Sequence, residues 1–210
     1  IFLNLETSET QVNLMRSFAG ESMARNRYNM AASKALSEGH HVIAALFDYT
    51  AKQEQAHASV FYKYLKDLSD TNFDISGAYP VNIYESTQKY LEAAVKNEYE
   101  EYDSIYKFFG ETAKSEGFNA VANSFELIAK IERTHSDRFK MFLNALSKGE
   151  LYKSQGDAVW LCTNCGHIHI GPSAPTVCPV CSHPQGYFLN EAFCGGGDFT
   201  GNVKIPVLRQ

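Results

Sequence analysis

The sequence predicts a mainly α fold: a bundle of four long helices followed by a small metal-knuckle domain. Three observations predict it. Apolar residues recur at alternating steps of three and four through residues 9–148. Loop-forming residues then become dense: residues 1–150 hold six Gly and one Pro, residues 151–210 eight Gly and five Pro. All five cysteines follow residue 161, four of them in two tight pairs. At 210 residues, with 44% hydrophobic and 20% charged side chains, the chain has a globular composition and room for one ordinary domain plus a small one.

The helices are expected at about 9–37, 40–68, 85–115 and 118–148. Gly39 and Gly117 mark tight connections between antiparallel neighbours, and the longer stretch Ser69–Asn82, with Gly77 and Pro80, reads as a crossover joining two hairpins. Helical character ends near Lys148-Gly149-Glu150. The expected organisation is therefore a helical domain at 1–149, a metal-binding domain at 150–193 and a flexible extension at 194–210, which holds Gly195-Gly196-Gly197 and the odd Cys194.

A balance of 19 Lys+Arg against 24 Asp+Glu, net −5, excludes nucleic-acid binding driven by bulk charge. No apolar run approaches a membrane span, so no membrane partner is expected. Four of the five cysteines in two Cys-x-x-Cys pairs read as a metal site in a reducing compartment, the cytoplasm.

Each helix carries a carboxylate inside its apolar stripe: Glu21 between Phe18 and Tyr28, Glu54 between Phe47 and Phe61, Glu98 between Val95 and Ile105, Glu132 between Ile128 and Phe139. An unpaired buried carboxylate costs several kcal/mol (about 3–5) and normally takes up a proton. Four of them, one per helix and near mid-helix, need a shared explanation. Two divalent cations supply it, because their four positive charges match the four carboxylates.

The two halves also repeat. Glu54-Gln-Ala-His57 continues to Phe61 and Leu65, and Glu132-Arg-Thr-His135 continues to Phe139 and Leu143 at the same offsets. Glu21 maps onto Glu98 at a shift of 77 residues, and Glu54 onto Glu132 at 78. Each copy of a duplicated hairpin thus contributes one Glu and one Glu-x-x-His, whose two side chains share a helix face and can reach one metal. This is the ligand set of di-iron and di-manganese carboxylate bundles. A third match, Glu38-Gly-His-His41, contains Gly39 at a helix junction and has no copy in the other half, so it is set aside.

Cys162-Thr-Asn-Cys165-Gly166 and Cys178-Pro-Val-Cys181 form two knuckles twelve residues apart. Each turn aims two sulfurs at one point, and together they complete a tetrahedron that accepts iron or zinc. Trp160, Tyr187 and Phe188 are expected to form its small core. His167, His169 and His183 are not needed as ligands, because four thiolates saturate the metal.

Together these motifs resemble the rubrerythrin family over about residues 9 to 191. The resemblance rests on Gly20-Glu21-Ser-Met-Ala-Arg-Asn-Arg-Tyr28, Glu54-x-x-His57, Glu98-x-x-Glu101-Tyr102, Glu132-x-x-His135, Trp160-Leu-Cys-Thr-Asn-Cys-Gly166 and Cys178-Pro-Val-Cys-Ser-His-Pro184. It implies a ferritin-like bundle with a non-haem di-iron site and a rubredoxin-like iron centre held by four cysteines, zinc being able to replace iron in recombinant protein. It also implies reduction of hydrogen peroxide as an oxidative-stress defence. The extra Glu101 resembles the additional carboxylate that separates this family from generic ferritin-like bundles. The stretch after Glu191 has no counterpart in the pattern.

On this reading Glu54 and Glu132 bridge the metals, and Glu21 and Glu98 are terminal. Glu101 competes with His57 for one iron, since an anionic ligand favours the ferric ion and a neutral imidazole the ferrous one. Tyr28 and Tyr102, on the faces of Glu21 and Glu98, are expected to hydrogen-bond a ligating carboxylate and to assist catalysis. From His135 to Gly149 is fourteen residues, roughly 20 Å of helix at about 1.5 Å per residue. A module hung from that helix end therefore calls for a head-to-tail homodimer, or a higher assembly, to bring it to a partner's site, with rubredoxin or a reductase as electron donor. Two other functions fit parts of the sequence: a ferroxidase related to ferritins, or a metal-stabilised scaffold whose tail is a zinc ribbon.

Overall fold

A computed structural model describes residues 4–194; of the extension expected at 194–210, only Cys194 lies among the described residues. The helical part holds α1 (Glu9–Ser37), α2 (His41–Lys63), α3 (Thr87–Glu100), α4 (Tyr106–Ser115) and α5 (Asn119–Ser147). Three strands follow: β1 (Lys153–Cys162), β2 (Ile168–Ser173) and β3 (Phe188–Asn190). The first and last expected helices match α1 and α5. The second is shorter than expected: α2 ends at Lys63, and only a 3-10 turn, Lys66–Leu68, continues it. The third is two α-helices joined without a loop by one π-helical turn, Glu101–Ile105.

That turn explains the arithmetic of the repeat. Thr10 maps onto Thr87 and Glu21 onto Glu98 at a shift of 77, whereas Glu38, Gly39 and Glu54 map onto Glu116, Gly117 and Glu132 at 78. The second copy therefore carries one residue more, inserted between Glu98 and Glu116. A helix can absorb one extra residue by widening a single turn to i→i+5 bonding. The widened turn begins at Glu101.

The hairpin turns close alike. Gly39 (φ +78°) and Gly117 (φ +86°) adopt left-handed backbone, which a side chain would strain. The amides that follow reach back to seal the helix ends, His40 N–H to the Ala35 carbonyl and Phe118 N–H to the Ala113 carbonyl, both at 2.8 Å.

The Glu before each glycine caps the first helix of the other half. Glu116 accepts the Glu9 and Thr10 amides (3.0 and 2.8 Å) and the Thr10 hydroxyl (2.5 Å). Glu38 accepts the Thr87 amide at 3.0 Å. Glu38 is thus a cap, in keeping with its exclusion as a metal ligand. Each carboxylate meets the positive end of a helix dipole while satisfying amides that have no partner within their own helix.

Within the described residues the chain divides into two compact units: residues 4–28, 50–83 and 93–138, and residues 29–49, 84–92 and 139–194. In the first, Leu14, Phe61, Leu65, Tyr106, Val121, Phe125 and Ile128 form a buried core, with the Phe61 and Phe125 rings stacked at 4.8 Å. In the second, Phe47 packs on Phe139 and Phe142 on Phe193. The sheet there has the order β2-β1-β3, antiparallel throughout, with Trp160 opposite His169 on one side and Asn190 on the other. Trp160, Cys162, Ala174, Cys178 and Phe188 form its buried core, with Tyr187 packed against it. Cys194 is buried at the end of a 3-10 turn, Glu191–Cys194, where burial pushes its thiol up to about 11. No helix among the described residues is long and apolar enough to cross a membrane.

The cap makes a pH-dependent prediction. Partial burial works against the charge on Glu116, but the bonds from Thr10 and Glu9 outweigh it and hold the carboxyl below its ordinary value of 4.5. A depressed folded-state pKa contributes stability above the unfolded value, and that stability is lost as pH falls through the folded value. Glu116→Gln should therefore lower stability by about 1 kcal/mol at pH 7. In urea melts of both proteins, the difference should shrink as the pH is taken below 4.5.

Candidate metal centres

α1, α2, α3 and α5 each turn one carboxylate into the first unit, and the Glu-x-x-His spacing of α2 and α5 adds one imidazole each. Glu21, Glu54, His57 and Glu132 form one group, and Glu54, Glu98, Glu132 and His135 a second, with ligand atoms of each group within 4.8 Å of one another. Glu54 and Glu132 belong to both groups, Glu21 and Glu98 to one each. All six residues are buried, none more than 6% exposed. The two imidazole rings lie nearly parallel, 5.7 Å apart.

This cluster cannot satisfy itself with protons alone. His57 Nδ1 has Glu132 Oε1 at 2.9 Å, Glu54 Oε2 at 3.2 Å and Glu21 Oε1 at 3.9 Å. His135 Nδ1 has Glu132 Oε2 at 2.8 Å, Glu98 Oε2 at 3.1 Å and Glu54 Oε1 at 3.2 Å. One N–H cannot serve three carboxylates. Apart from those imidazole contacts, Glu21 Oε2, Glu54 Oε1 and both Glu132 oxygens are buried with no hydrogen-bond partner. Such atoms, converging from three helices with Glu98 from a fourth beside them, fit two cations.

The electrostatics agree. Burial, then the charges of Glu132, Glu54 and Glu101, hold the Glu21 carboxyl well above its ordinary range. Burial opposes charge on His57, but hydrogen bonds to Glu132 and Glu54 push it up to about 9. Without cations the site gathers protons, and cation binding must release them.

Glu101, first residue of the π-helical turn, is only half-buried and lies outside both groups. Burial, then Glu98, Glu132 and Glu54, push its carboxyl well up, while Arg27 pulls the other way. Of the two residues expected from sequence to compete for one metal, His57 belongs to a candidate group and Glu101 lies outside both.

Two buried phenols complete the cluster. Tyr28 donates to Glu98, and Tyr106 donates to Glu21 Oε1. Each half thus supplies the hydroxyl that holds the other half's terminal carboxylate. Tyr28 takes the expected place. Tyr102 does not: its ring lies edge-on to Tyr99 with the Arg133 guanidinium 5.5 Å above it. The extra residue of the π-helical turn moves the counterpart of Tyr28 to 106, a shift of 78. The signal was present in the sequence as the step from 77 to 78, which places the insertion before Glu116 and hence allows Tyr106.

In the second unit the four cysteine sulfurs close a tetrahedron. Cys162 Sγ to Cys181 Sγ and Cys165 Sγ to Cys178 Sγ are both 3.7 Å, against an edge of about 3.8 Å for metal–sulfur bonds of about 2.3 Å. Each knuckle is tied by the same pair of bonds: Cys162 N–H to His167 O and Gly166 N–H to Cys162 O, then Cys178 N–H to His183 O and Ser182 N–H to Cys178 O. The backbone turns left-handed at Gly166 and again at Ser182. His183 Nδ1 lies near Asn164 Nδ2 and the Cys181 carbonyl, outside the cysteine group. Tyr187 stacks on His41 at 3.9 Å, and Gly186 touches the Gly39 carbonyl so closely that no side chain would fit there.

Comparison with known proteins agrees with both centres. The rubrerythrin family model matches residues 12–143, and the model of the rubrerythrin rubredoxin-like domain matches residues 160–189. Rubrerythrin-1 of Clostridium acetobutylicum is 42% identical over 187 residues, covering 88% of this chain and 95% of that protein. Nigerythrin in its fully reduced, all-ferrous state superposes with a TM-score of 0.59 at 27% identity, covering 87% of this chain and 86% of that one. Bacterioferritin BfrA of Mycobacterium tuberculosis shares the fold alone, with a TM-score of 0.55 at 18% identity over 66% of this chain and 86% of that one. A family match through most of the helical part, and a relative 42% identical along almost the whole chain, establish that the protein belongs to the rubrerythrin family.

Proposed function

We propose that the protein is a non-haem di-iron peroxidase that reduces hydrogen peroxide to two waters, with electrons arriving through an iron tetrathiolate. The observation that carries this reading is the reciprocal pair Tyr28–Glu98 and Tyr106–Glu21: two protons held on buried phenols at the edge of a carboxylate cluster. Reduction of one peroxide consumes two protons and two electrons. The two Glu/His groups would hold iron, whose redox chemistry would supply the electrons.

The chain's own groups do the rest. Glu54 and Glu132 would be shared by the two metals, with Glu21 and His57 holding one and Glu98 and His135 the other. Burial, then the neighbouring carboxylates, push both phenols well above their ordinary value, so each keeps its proton at neutral pH. The apolar core around Phe61 and Phe125 excludes bulk water and keeps those bonds strong. Glu101 stands ready as the alternative ligand to His57. Cys165 is exposed, which offers an external donor an edge of the tetrathiolate. A rubredoxin or a reductase suits that role, and a head-to-tail homodimer would shorten the onward path to a partner's cluster.

Protein from iron-fed cells should be red and should contain about three iron atoms per chain, two for the Glu/His groups and one for the tetrathiolate. A colourless protein with zinc in the cysteine site and empty helices would refute the assignment. Tyr28→Phe and Tyr106→Phe should each slow peroxide turnover by about 10²-fold with iron content unchanged, as read by stopped-flow absorbance. Tyr102→Phe should stay near the wild-type rate. Mixing Glu54→Ala protein with Cys178→Ala protein under subunit exchange should restore activity, and absence of rescue would count against transfer between subunits.

A further inference from the structure

A cleft of about 730 Å³ in the first unit is separated from the dinuclear cluster by one side chain, Tyr106, which lines the cleft and donates to Glu21. Glu101 lines it too, a half-buried carboxylate outside both metal-binding groups. Part of the lining is apolar: Ile105 and Phe108, 40% and 61% exposed, with Phe109 and Pro80. Arg27 also lines it, and its buried Nε has no hydrogen-bond partner.

One wall is fixed. The crossover stretch is pinned to α1 by Arg16 Nε donating to the Ser76 carbonyl (2.8 Å) and by the Tyr79 hydroxyl donating to the Arg16 carbonyl (3.1 Å). The Tyr79 ring comes within 2.9 Å of where a side chain on Gly77 would begin. The cleft is therefore built into the fold.

Its size does not suit hydrogen peroxide alone. A water molecule occupies about 30 Å³ in the liquid, and hydrogen peroxide is little larger. Cavities of roughly 300–1,000 Å³ with an apolar lining and a few convergent polar groups suit organic ligands. We propose that this cleft makes alkyl hydroperoxides bearing an apolar substituent substrates of the same cluster. The peroxide group enters toward Glu101, Tyr106 and Arg27, and the substituent rests on Ile105, Phe108 and Phe109. The reaction balances as ROOH plus two electrons and two protons giving ROH and water. The O–O bond breaks, and the reductant is the reduced iron pair, refilled by a one-electron donor.

The inference rests on the peroxidase reading, and the test separates the two. Iron-loaded, reduced wild-type protein is assayed with hydrogen peroxide and with cumene hydroperoxide, and binding of the unreactive product cumyl alcohol is followed by NMR line broadening. Wild type should turn over both peroxides and bind cumyl alcohol. Ile105→Trp, which fills the cleft, and Phe108→Asp, a change at an exposed position, should each weaken cumyl alcohol binding about tenfold. Both should also lower the ratio of cumene hydroperoxide to hydrogen peroxide kcat/KM by about the same factor. Iron content reports that the variants are folded. Hydrogen peroxide turnover without cumene hydroperoxide turnover, or alcohol binding that neither variant weakens, would overturn this inference alone. Loss of turnover with both peroxides in iron-replete wild type would overturn the peroxidase reading and this one with it.

Discussion

Like charges gathered where water cannot reach them set the terms for the helical part of this protein. Glu21, Glu54, Glu98 and Glu132 are each at most 1% exposed, and their oxygens crowd two imidazole nitrogens, each able to donate at most one hydrogen. Desolvated carboxylates at these distances repel strongly and would otherwise neutralise by taking up protons. Two cations turn that repulsion into attraction along every ligand. The apolar stripes around the cluster then have a second role beyond driving collapse. They lower the local dielectric, so that each charge pair and each tyrosine hydrogen bond counts for more than it would in water.

The duplicated hairpin is how one chain builds so demanding a site. Each half supplies a Glu, a Glu-x-x-His and a tyrosine, and exchanges partners with the other half: Tyr28 with Glu98, Tyr106 with Glu21. The same exchange recurs at the helix ends, where Glu116 caps α1 and Glu38 caps α3. At these positions each hairpin's polar groups find their partners in the other half. The symmetry is broken at one place, the π-helical turn, and the residue that begins it is Glu101. A single inserted residue thus gives one half a carboxylate that the other half lacks, at the mouth of a cleft that only this half lines with Ile105 and Phe108.

The tetrathiolate obeys a different rule. Its four ligands come from two short turns, so its geometry is almost wholly local: two knuckles, each closed by two backbone hydrogen bonds, on a three-stranded sheet. Trp160 anchors that sheet through its indole N–H to the Gly171 carbonyl at 2.9 Å. A metal bound by four thiolates contributes directly to holding so small a core together.

Much of this was legible in the residues. Periodicity located the long helices because a stripe at steps of three and four reports burial directly, and the cysteine spacing located the knuckles because their geometry is local. The Glu-x-x-His pairs were legible for the same reason, as neighbours on one helix face. Tyr106 was not. It lies at a shift of 78 from Tyr28, and knowing whether the inserted residue precedes it required the backbone, since one extra residue turns every later side chain by about 100° on an α-helix. The role of Glu38 was equally hidden: a cap between halves joins residues 49 apart, and nothing periodic links them. Sequence alone determined which residues are apolar, which are charged and which ligands sit on one face. Only the folded chain decided which half each hydroxyl and carboxylate would serve, because that depends on how the helices face one another, which no single helix encodes.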